Sequence, residues 1–211
     1  MRSGRRRRGF LTRVKELVWI DSHLYARATG ARVVVAPPYC ARLATPSDLA
    51  RLEADLAEEL TATKADLIRR RAGDASHQVA VVALPNGEIC GYGHIAHGRI
   101  EDDHLRFDLG PQPGVAHLFD DFVASAHRGH RLQVALLTLR LDAAEARGAR
   151  IATILVADTN HASRASVLAA GFRPVLRIVT LRGPAGRRSW ALGVRPKEKI
   201  RASGSWSPDP R

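Results

Sequence analysis

Residues 122–137, FVASAHRGHRLQVALL, join a short apolar strand to an amphipathic helix through a basic turn. The free N–H groups and the positive dipole end of a helix N-terminus favour a bound anion, and proteins commonly hold phosphate there. Arg128, His130 and Arg131 add positive charge to this turn, where cations next to the dipole are unfavourable by up to about 1 kcal/mol. An anion among them explains the pattern better than a solvated basic helix end, although both interpretations stay open.

The patterns on either side of this stretch predict a mixed sheet with helices on its faces. The predicted strands lie at the start of residues 39–60 and at 79–84, 89–95, 104–109, 115–124, 150–158, 175–182 and 188–194. The predicted helices are residues 48–60 with Ser47 as N-cap, 64–72 ending at Gly73, 132–147 ending at Gly148, and 160–170 ending at Gly171. Residues 150–158 are almost entirely apolar, which is typical of a central strand buried on both faces.

The N-terminal region is predicted to be a basic tail followed by a helix. Residues 1–9 are dominated by arginine, and residues 10–27 carry apolar side chains at helical spacing, interrupted at Asp21. We expect this helix to pack on its own domain or on a second subunit, which leaves a homodimer open; a membrane-surface helix is the alternative. The predicted division is 1–38 for tail and helix, 39–195 for the folded domain and 196–211 for a disordered tail.

Composition narrows the function classes. The net charge is +12, but only 4 of the 33 basic residues, Lys15, Lys64, Lys197 and Lys199, are lysines. Such arginine dominance favours a compositional origin of the charge over nucleic-acid binding through the basic tails, which stays an alternative. No apolar run approaches the roughly 18 residues of a membrane-spanning helix, and the N-terminus lacks a secretory cleavage site. Two cysteines make no disulfide framework, so we predict a cytoplasmic protein.

The stretch at 122–137 resembles the acyl-CoA-binding motif of the GNAT N-acetyltransferase superfamily: a strand, then Arg/Gln-x-x-Gly-x-Gly/Ala, then a helix. The order around it is also similar, in ARLATPSDLARLEAD, PNGEICGYGHI and ILVADTNHASRASVLAAGFRPV. The resemblance covers about residues 39–194 and extends to bacterial small-molecule and protein acetyltransferases. It implies an α+β fold with a mixed, mostly antiparallel sheet flanked by helices, here with an N-terminal helical extension.

The resemblance also implies roles for individual residues. Main-chain groups of the strand end would pair with the pantetheine arm, the turn would hold the pyrophosphate, and a splayed gap between the two central strands would admit the thioester. The implied cofactor-binding residues are Phe122, Val123, Ala124, Arg128, Gly129, His130, Arg131, Leu132, Gln133 and Asn160.

Three positions depart from the family pattern. Arg131 and Gln133 stand where the pattern has small residues, so Gln133 either crowds the pyrophosphate or donates to it. Many members carry a tyrosine seven residues after the asparagine as the acid for the leaving thiolate, and that position is Val167 here.

Strand 115–124 is the place to seek a catalytic base. Alternation puts His117, Phe119 and Asp121 on one face and Asp120 on the other. A carboxylate or imidazole can accept the proton that an attacking amine loses. Asp121 and His117 are therefore the predicted bases, and Asp120 is the next candidate. Satisfied polar residues at a strand end remain the alternative for each. No HExxH or CxxC motif occurs, and no metal is predicted.

These expectations combine into an acetyl-CoA-dependent N-acetyltransferase that acts by direct attack of a primary amine in a ternary complex. The acceptor is an amine-bearing small molecule or protein, and the acidic segment 101–108 with Asp120 and Asp121 would suit a cationic one. The alternative is a non-catalytic acyl-CoA-binding or partner-binding module, favoured by Gln133 and Val167. Motifs of serine hydrolases and P-loop NTPases are absent from the sequence.

Overall fold

The computed structural model describes residues 18–30, 35–98, 100–102, 107–109, 113–183 and 186–193. The four helices in these ranges are α1 (Pro46–Asp55), α2 (Ala62–Ala72), α3 (Leu132–Ala146) and α4 (His161–Ala169). The strands are β1 (Val18–Ala28), β2 (Cys40–Leu43), β3 (His77–Ala83), β4 (Ile89–Ala96), β5 (Ile100–Asp102), β6 (Phe107–Leu109), β7 (Val115–Val123), β8 (Ile151–Ala157), β9 (Arg173–Gly183) and β10 (Gly186–Gly193).

Eight of the strands form one sheet in the order β10–β9–β1–β8–β7–β4–β3–β2, and β5 and β6 form a separate ribbon. Among the described strands, only β7 and β8 pair in parallel; every other pair is antiparallel. The parallel pair requires a crossover, and α3 provides it. The predicted mixed, mostly antiparallel sheet with flanking helices is therefore confirmed.

The predicted N-terminal helix is wrong for residues 18–27, which belong to β1. This strand lies between β8 and β9 and pairs with both. A central strand is covered on both faces, so its apolar residues do not alternate strictly with polar ones, and periodicity alone cannot distinguish it from a short helix. Adjacent Leu24 and Tyr25 are both buried, one on each face. The sheet thus begins before residue 39, while residues 1–17 and the predicted tail at 196–211 lie outside the described residues.

The first helix begins two residues earlier than predicted, because Thr45 rather than Ser47 is its N-cap. The Thr45 side chain accepts from the Asp48 backbone N–H, and the Asp48 carboxylate accepts from the Thr45 backbone N–H. This reciprocal capping box satisfies two otherwise unpaired donors. The helix ends at Asp55 instead of residue 60. Helix α2 begins at Ala62, two residues before the predicted start, and its end before Gly73 agrees with the prediction.

The two faces of the sheet carry different helices. On one face, Leu52 of α1, Leu56 just after α1 and Ile68 of α2 pack together. They lie against Val81 of β3 and Tyr92 of β4. Helices α3 and α4 cover the opposite face, where Leu137 and Val167 pack against Leu118 and Ile154. We call these the α2 face and the α3 face.

A bulge interrupts β7 at Asp120, whose φ is 56°. Along β4, Tyr92 and His94 are two residues apart, but their partners Phe122 and Phe119 are three apart. One extra residue on a strand reverses the alternation beyond it. The prediction that Asp121 shares a face with His117 and Phe119 is therefore wrong: Asp120 lies on the α2 face with Phe119, and Asp121 faces α3.

Candidate active site

The two central strands separate at the middle of the sheet. Pairing between β7 and β8 ends at Leu118 and Ile154, although β7 continues to Val123 and β8 to Ala157. The bulge at Asp120 follows two residues after the last paired residue of β7. Within the described strands, the pairing ends where the resemblance implies a gap between the two central strands.

A groove of about 650 Å³ on the α3 face ends at this gap. It runs between α3 and α4, and the C-terminal half of β7 forms its inner end. Eight of the ten predicted cofactor-binding residues line it: Phe122, Val123, Arg128, Gly129, Arg131, Leu132, Gln133 and Asn160. Ala124 and His130 do not line it; the Ala124 N–H donates to the Cys90 carbonyl at 2.9 Å.

The outer end of the groove meets the N-terminus of α3. The helix begins after Arg131, which has a φ of 58° and no side-chain capping bond. The first N–H groups of a helix need partners, and an uncapped start leaves them to water or to an anion. Arg131 has the left-handed conformation that glycine adopts without cost, which agrees with the small residue in the family pattern. Gly129 is also left-handed, with a φ of 86°.

Arg128 is already bonded at this turn. Its Nε donates to the Val123 carbonyl at 3.2 Å, and Nη2 lies 3.4 Å from Glu59 Oε2. Glu59 in turn accepts from the Ser125 N–H at 2.7 Å, and this bond is the main reason why its pKa is lowered. Arg128 thus stabilises the turn and also adds positive charge to the groove.

Gln133 spans the groove. Its Nε2 donates to Ser163 Oγ on α4 at 3.3 Å, and both residues line the cavity. Asn160 caps α4, because its Oδ1 accepts from the Ser163 N–H at 3.1 Å. The two helices that form the walls are therefore joined by a polar bridge where the family pattern has a small residue.

Asp121 lies at the inner end of the groove and forms an ion pair with Arg140 of α3. Arg140 Nη1 is 2.5 Å from Asp121 Oδ1, and the side chain of Arg140 is fully buried. Arg140 also donates to the carbonyls of Leu136 and His94. Both Asp121 carboxylate oxygens are buried, and among the described residues Oδ2 has no hydrogen-bond donor.

His117 is not in the groove. It is 2% exposed, and its Nδ1 lies 2.9 Å from Thr153 Oγ1 of β8. Burial, assisted by Arg140, lowers the pKa of His117 to about 4, so the imidazole is neutral at pH 7. A neutral imidazole could accept a proton, but this one lies within the core beneath the last paired residues of β7 and β8.

Asp120 occupies the opposite face of the bulge. Its Oδ2 accepts from Lys64 Nζ at 2.6 Å and from Arg71 Nη1 at 2.8 Å, both on α2. His94 Nε2 lies 3.8 Å from the same oxygen. The sequence did not predict the roles of Lys64, Arg71 and Arg140, because an ion pair between distant segments leaves no local pattern. The only signal was the pair of adjacent carboxylates at 120 and 121, whose charges need partners.

The position of the family's catalytic tyrosine is filled by Val167, which is fully buried in the core. Ser163 and Ser166 of α4 line the groove, but Ser166 Oγ donates to the Ala162 carbonyl at 3.1 Å. Among the described residues, no group of three or more His, Cys, Asp or Glu side chains forms a metal site. None of the described helices is both long and apolar enough to cross a membrane.

Comparison with known proteins agrees with this geometry. Residues 47–172 match the model of the acetyltransferase (GNAT) family. A search of curated protein sequences finds no match to this chain.

Similar solved structures include a GCN5-related N-acetyltransferase from Sphaerobacter thermophilus, which is 15% identical over 89% of this chain with a TM-score of 0.58. A putative GNAT acetyltransferase from Novosphingobium aromaticivorans is 12% identical over 78% of this chain, with a TM-score of 0.55. A GCN5-related N-acetyltransferase from Kribbella flavida is 18% identical over 84%, with a TM-score of 0.53. This chain covers 57%, 65% and 64% of those structures in turn, and identities this low establish a shared fold alone.

Proposed function

Because this chain belongs to the GNAT acetyltransferase family, we propose that it transfers an acetyl group from acetyl-CoA to a primary amine. The observation that supports this most directly is the groove on the α3 face. It connects an uncapped, basic helix N-terminus with the gap between β7 and β8. A pyrophosphate at the helix and a thioester at the gap match the two ends of this groove.

The reaction we propose is direct attack in a ternary complex. The amine nitrogen attacks the thioester carbonyl, a C–N bond forms, the C–S bond breaks, and the CoA thiolate takes up a proton. The chain contributes position, and an N–H of β7 near Val123 would stabilise the developing oxyanion. With valine at position 167, the proton for the thiolate comes from water or from another group.

Asp121 is the base that we propose for the amine proton. Of the two bases predicted from the sequence, Asp121 lines the groove and His117 does not. Its Oδ2 has no donor among the described residues, but both oxygens are buried, so the amine proton would reach Asp121 through a water or after a local opening of the groove. Asp121→Asn should lower kcat strongly. Because the amide also leaves Arg140 without its buried ion-pair partner, thermal melting and acetyl-CoA affinity of the variant show whether the fold and the groove are kept.

The test uses the full chain. Calorimetry measures acetyl-CoA binding, and release of free thiol is followed with a panel of primary amines. Binding together with amine-dependent thiol release and a mass gain of one acetyl group on the amine would support the proposal. Absence of acetyl-CoA binding would overturn both the enzyme and the binding-module interpretation.

A non-catalytic acyl-CoA-binding module is the second candidate, and the buried Val167 favours it. Valine has no acidic proton, so the thiolate has no acid at the position where many relatives carry one. Acetyl-CoA binding without transfer to any amine, and without hydrolysis above the rate in buffer, would favour this candidate over the enzyme.

A further inference from the structure

Two cations and one carboxylate form a cluster on the α2 face of the bulge, and we call Lys64, Arg71 and Asp120 the α2 cluster. Both cations contact the same carboxylate oxygen, at 2.6 Å from Lys64 and 2.8 Å from Arg71. The side chains are 29%, 18% and 18% exposed in the order Lys64, Arg71 and Asp120. The cluster is thus half-buried but still reached by solvent.

The cluster carries one positive charge that is not balanced. Among the described residues, no second carboxylate forms an ion pair with Lys64 or Arg71. Glu53 and Asp66 form ion pairs with the nearby Arg69 instead. His94 adds no negative charge, and burial lowers its pKa to about 3, so it is neutral at pH 7. A half-buried excess cation favours an anion from solution.

The surroundings strengthen that preference. The guanidinium of Arg71 lies 4.9 Å from the centre of the Phe119 ring, and the rings of Tyr92 and Phe122 stack nearby. Apolar rings lower the local dielectric constant, so an anion that reaches the cluster is attracted more strongly than one at an open surface. The planar guanidinium also presents paired donors that match a carboxylate or phosphate.

The cluster lies on the opposite face of β7 from the groove. Asp120 faces α2 and the adjacent Asp121 faces the groove, so the strand itself separates the two sites. An acceptor that enters the gap from the α2 face would pass the cluster before its amine meets a thioester in the groove. An anionic group a few bonds from the amine could then contact Lys64 and Arg71 while the amine reacts.

We infer that the acceptor amine also carries an anionic group, a carboxylate or a phosphate, which Lys64 and Arg71 bind. This inference rests on the proposed acetyl transfer and specifies its substrate class. It reverses the expectation of a cationic acceptor, because Asp120 and Asp121 are each already paired with a cation of the chain.

The test compares amines that differ only in the anionic group. One pair is 3-aminopropanoate against propylamine, and the other is 2-aminoethyl phosphate against 2-methoxyethylamine. We expect kcat/KM of the wild-type chain to be at least about tenfold higher for the anionic member of at least one pair, the size of one charge-assisted hydrogen bond. The pair with the larger ratio identifies carboxylate or phosphate as the group.

Variants of α2 show which side chains produce the preference for anionic amines. Lys64→Met should lower the preferred ratio by about tenfold, mainly through the KM of the anionic amine, and Arg71→Lys, which keeps the charge, should lower it less. Arg70→Gln is the matched control, since Arg70 is an exposed cation next to the cluster on the same helix. Thermal melting of each variant shows that it is folded.

A wild-type preference for the uncharged amines, or the same ratio in Lys64→Met as in Arg70→Gln, would overturn the inference. If acetyl-CoA binds but no amine is acetylated, the proposed transfer fails, and the anion site is tested separately by calorimetry with 3-aminopropanoate and 2-aminoethyl phosphate. Binding that is weakened in Lys64→Met alone supports the site in that case, and no binding of either anion overturns it.

Discussion

Asp120 and Asp121 are neighbours in the chain, yet they lie in two different electrostatic environments. One oxygen of Asp120 accepts from two partly exposed cations on the α2 face, Lys64 and Arg71. Asp121 has one partner, Arg140, and this pair is nearly sealed from solvent, with side-chain exposures of 8% and 0%. Adjacent residues of a regular strand also point to opposite faces, but the bulge decides which carboxylate meets which helix.

The difference matters because exposure sets the energy of an ion pair. A pair that solvent reaches contributes little to stability, whereas removing one member of a buried pair leaves an uncompensated charge. The α3 side of the bulge is therefore expected to hold the fold and the groove in shape. The α2 side is free to act in recognition.

Arg140→Met should have the largest effect, a loss of about 3–5 kcal/mol in the free energy of unfolding, because it leaves Asp121 buried without its partner. Lys64→Met, on the exposed side, should cost about 1 kcal/mol or less. Urea unfolding of both variants measures the contrast.

The double variant Arg140→Met with Asp121→Leu is the control for the first prediction. Removing both charges should restore most of the lost stability, since apolar residues can replace a buried pair at little cost. Equal losses in Arg140→Met and Lys64→Met would show that the two sides of the bulge do not differ.

Acid should destabilise the chain through its two buried histidines. Burial lowers the pKa of His94 to about 3 and that of His117 to about 4, against about 6.5 in the unfolded chain. Between these values the unfolded chain binds more protons, so the stabilisation is complete above about pH 6.5 and is lost as the pH falls. Each histidine contributes up to about 1.4 kcal/mol per pH unit.

Urea unfolding at pH 7.5, 6 and 5 tests this, with His94→Leu beside the wild type. His94 is fully buried with both ring nitrogens lacking a hydrogen-bond partner among the described residues, so its replacement should cost little at pH 7.5. The variant should lose stability less steeply on acidification. Parallel curves for the two proteins would contradict the prediction.

Gly129 and Gly148 offer a matched pair for the groove turn. Their φ angles are 86° and 83°, and an added Cβ would meet nothing within 4 Å at either. Alanine at each should therefore cost about the same strain, roughly 1 kcal/mol. Of the two glycines, Gly129 lines the groove and Gly148 does not. Gly129→Ala alone should therefore weaken acetyl-CoA binding, by about tenfold, because the strained turn would shift. Equal affinities in the two variants would remove the turn from the cofactor site.

The smallest effect is expected at the bridge across the groove. A cofactor that enters must break the bond between Gln133 and Ser163, so Gln133→Ala should tighten acetyl-CoA binding by about two- to tenfold. Ser163→Ala removes the other half of the bond and should give a similar gain. Calorimetry measures both, and weaker binding in Gln133→Ala would instead make its amide a ligand of the pyrophosphate.

Much of the sheet could be predicted because its signals are local. The turn PNG marks the hairpin of β3 and β4, and the glycines at 73, 148 and 171 follow the ends of three helices. The basic turn before α3 followed from the same kind of pattern, whereas the residues that line the groove were implied by the resemblance to the GNAT family. Strand β1 could not be predicted, because its apolar residues are buried by β8 and β9, which lie more than 100 residues away in the chain.

Local patterns predicted the helices from α1 onward, most strands after β1 and the basic turn before α3, because periodicity, turn residues and helix ends depend on neighbouring positions. The ribbon of β5 and β6 was predicted as a single strand at 104–109. The residues around the groove were implied by the family resemblance. Three features depend on long-range packing: the place of β1 in the sheet, the bulge of β7, and the cation that each of the two carboxylates meets. A bulge depends on the pairing of β7 with β4, and an ion pair depends on helices brought together by packing. Those long-range contacts placed Asp121 at the groove and Asp120 among the cations of α2.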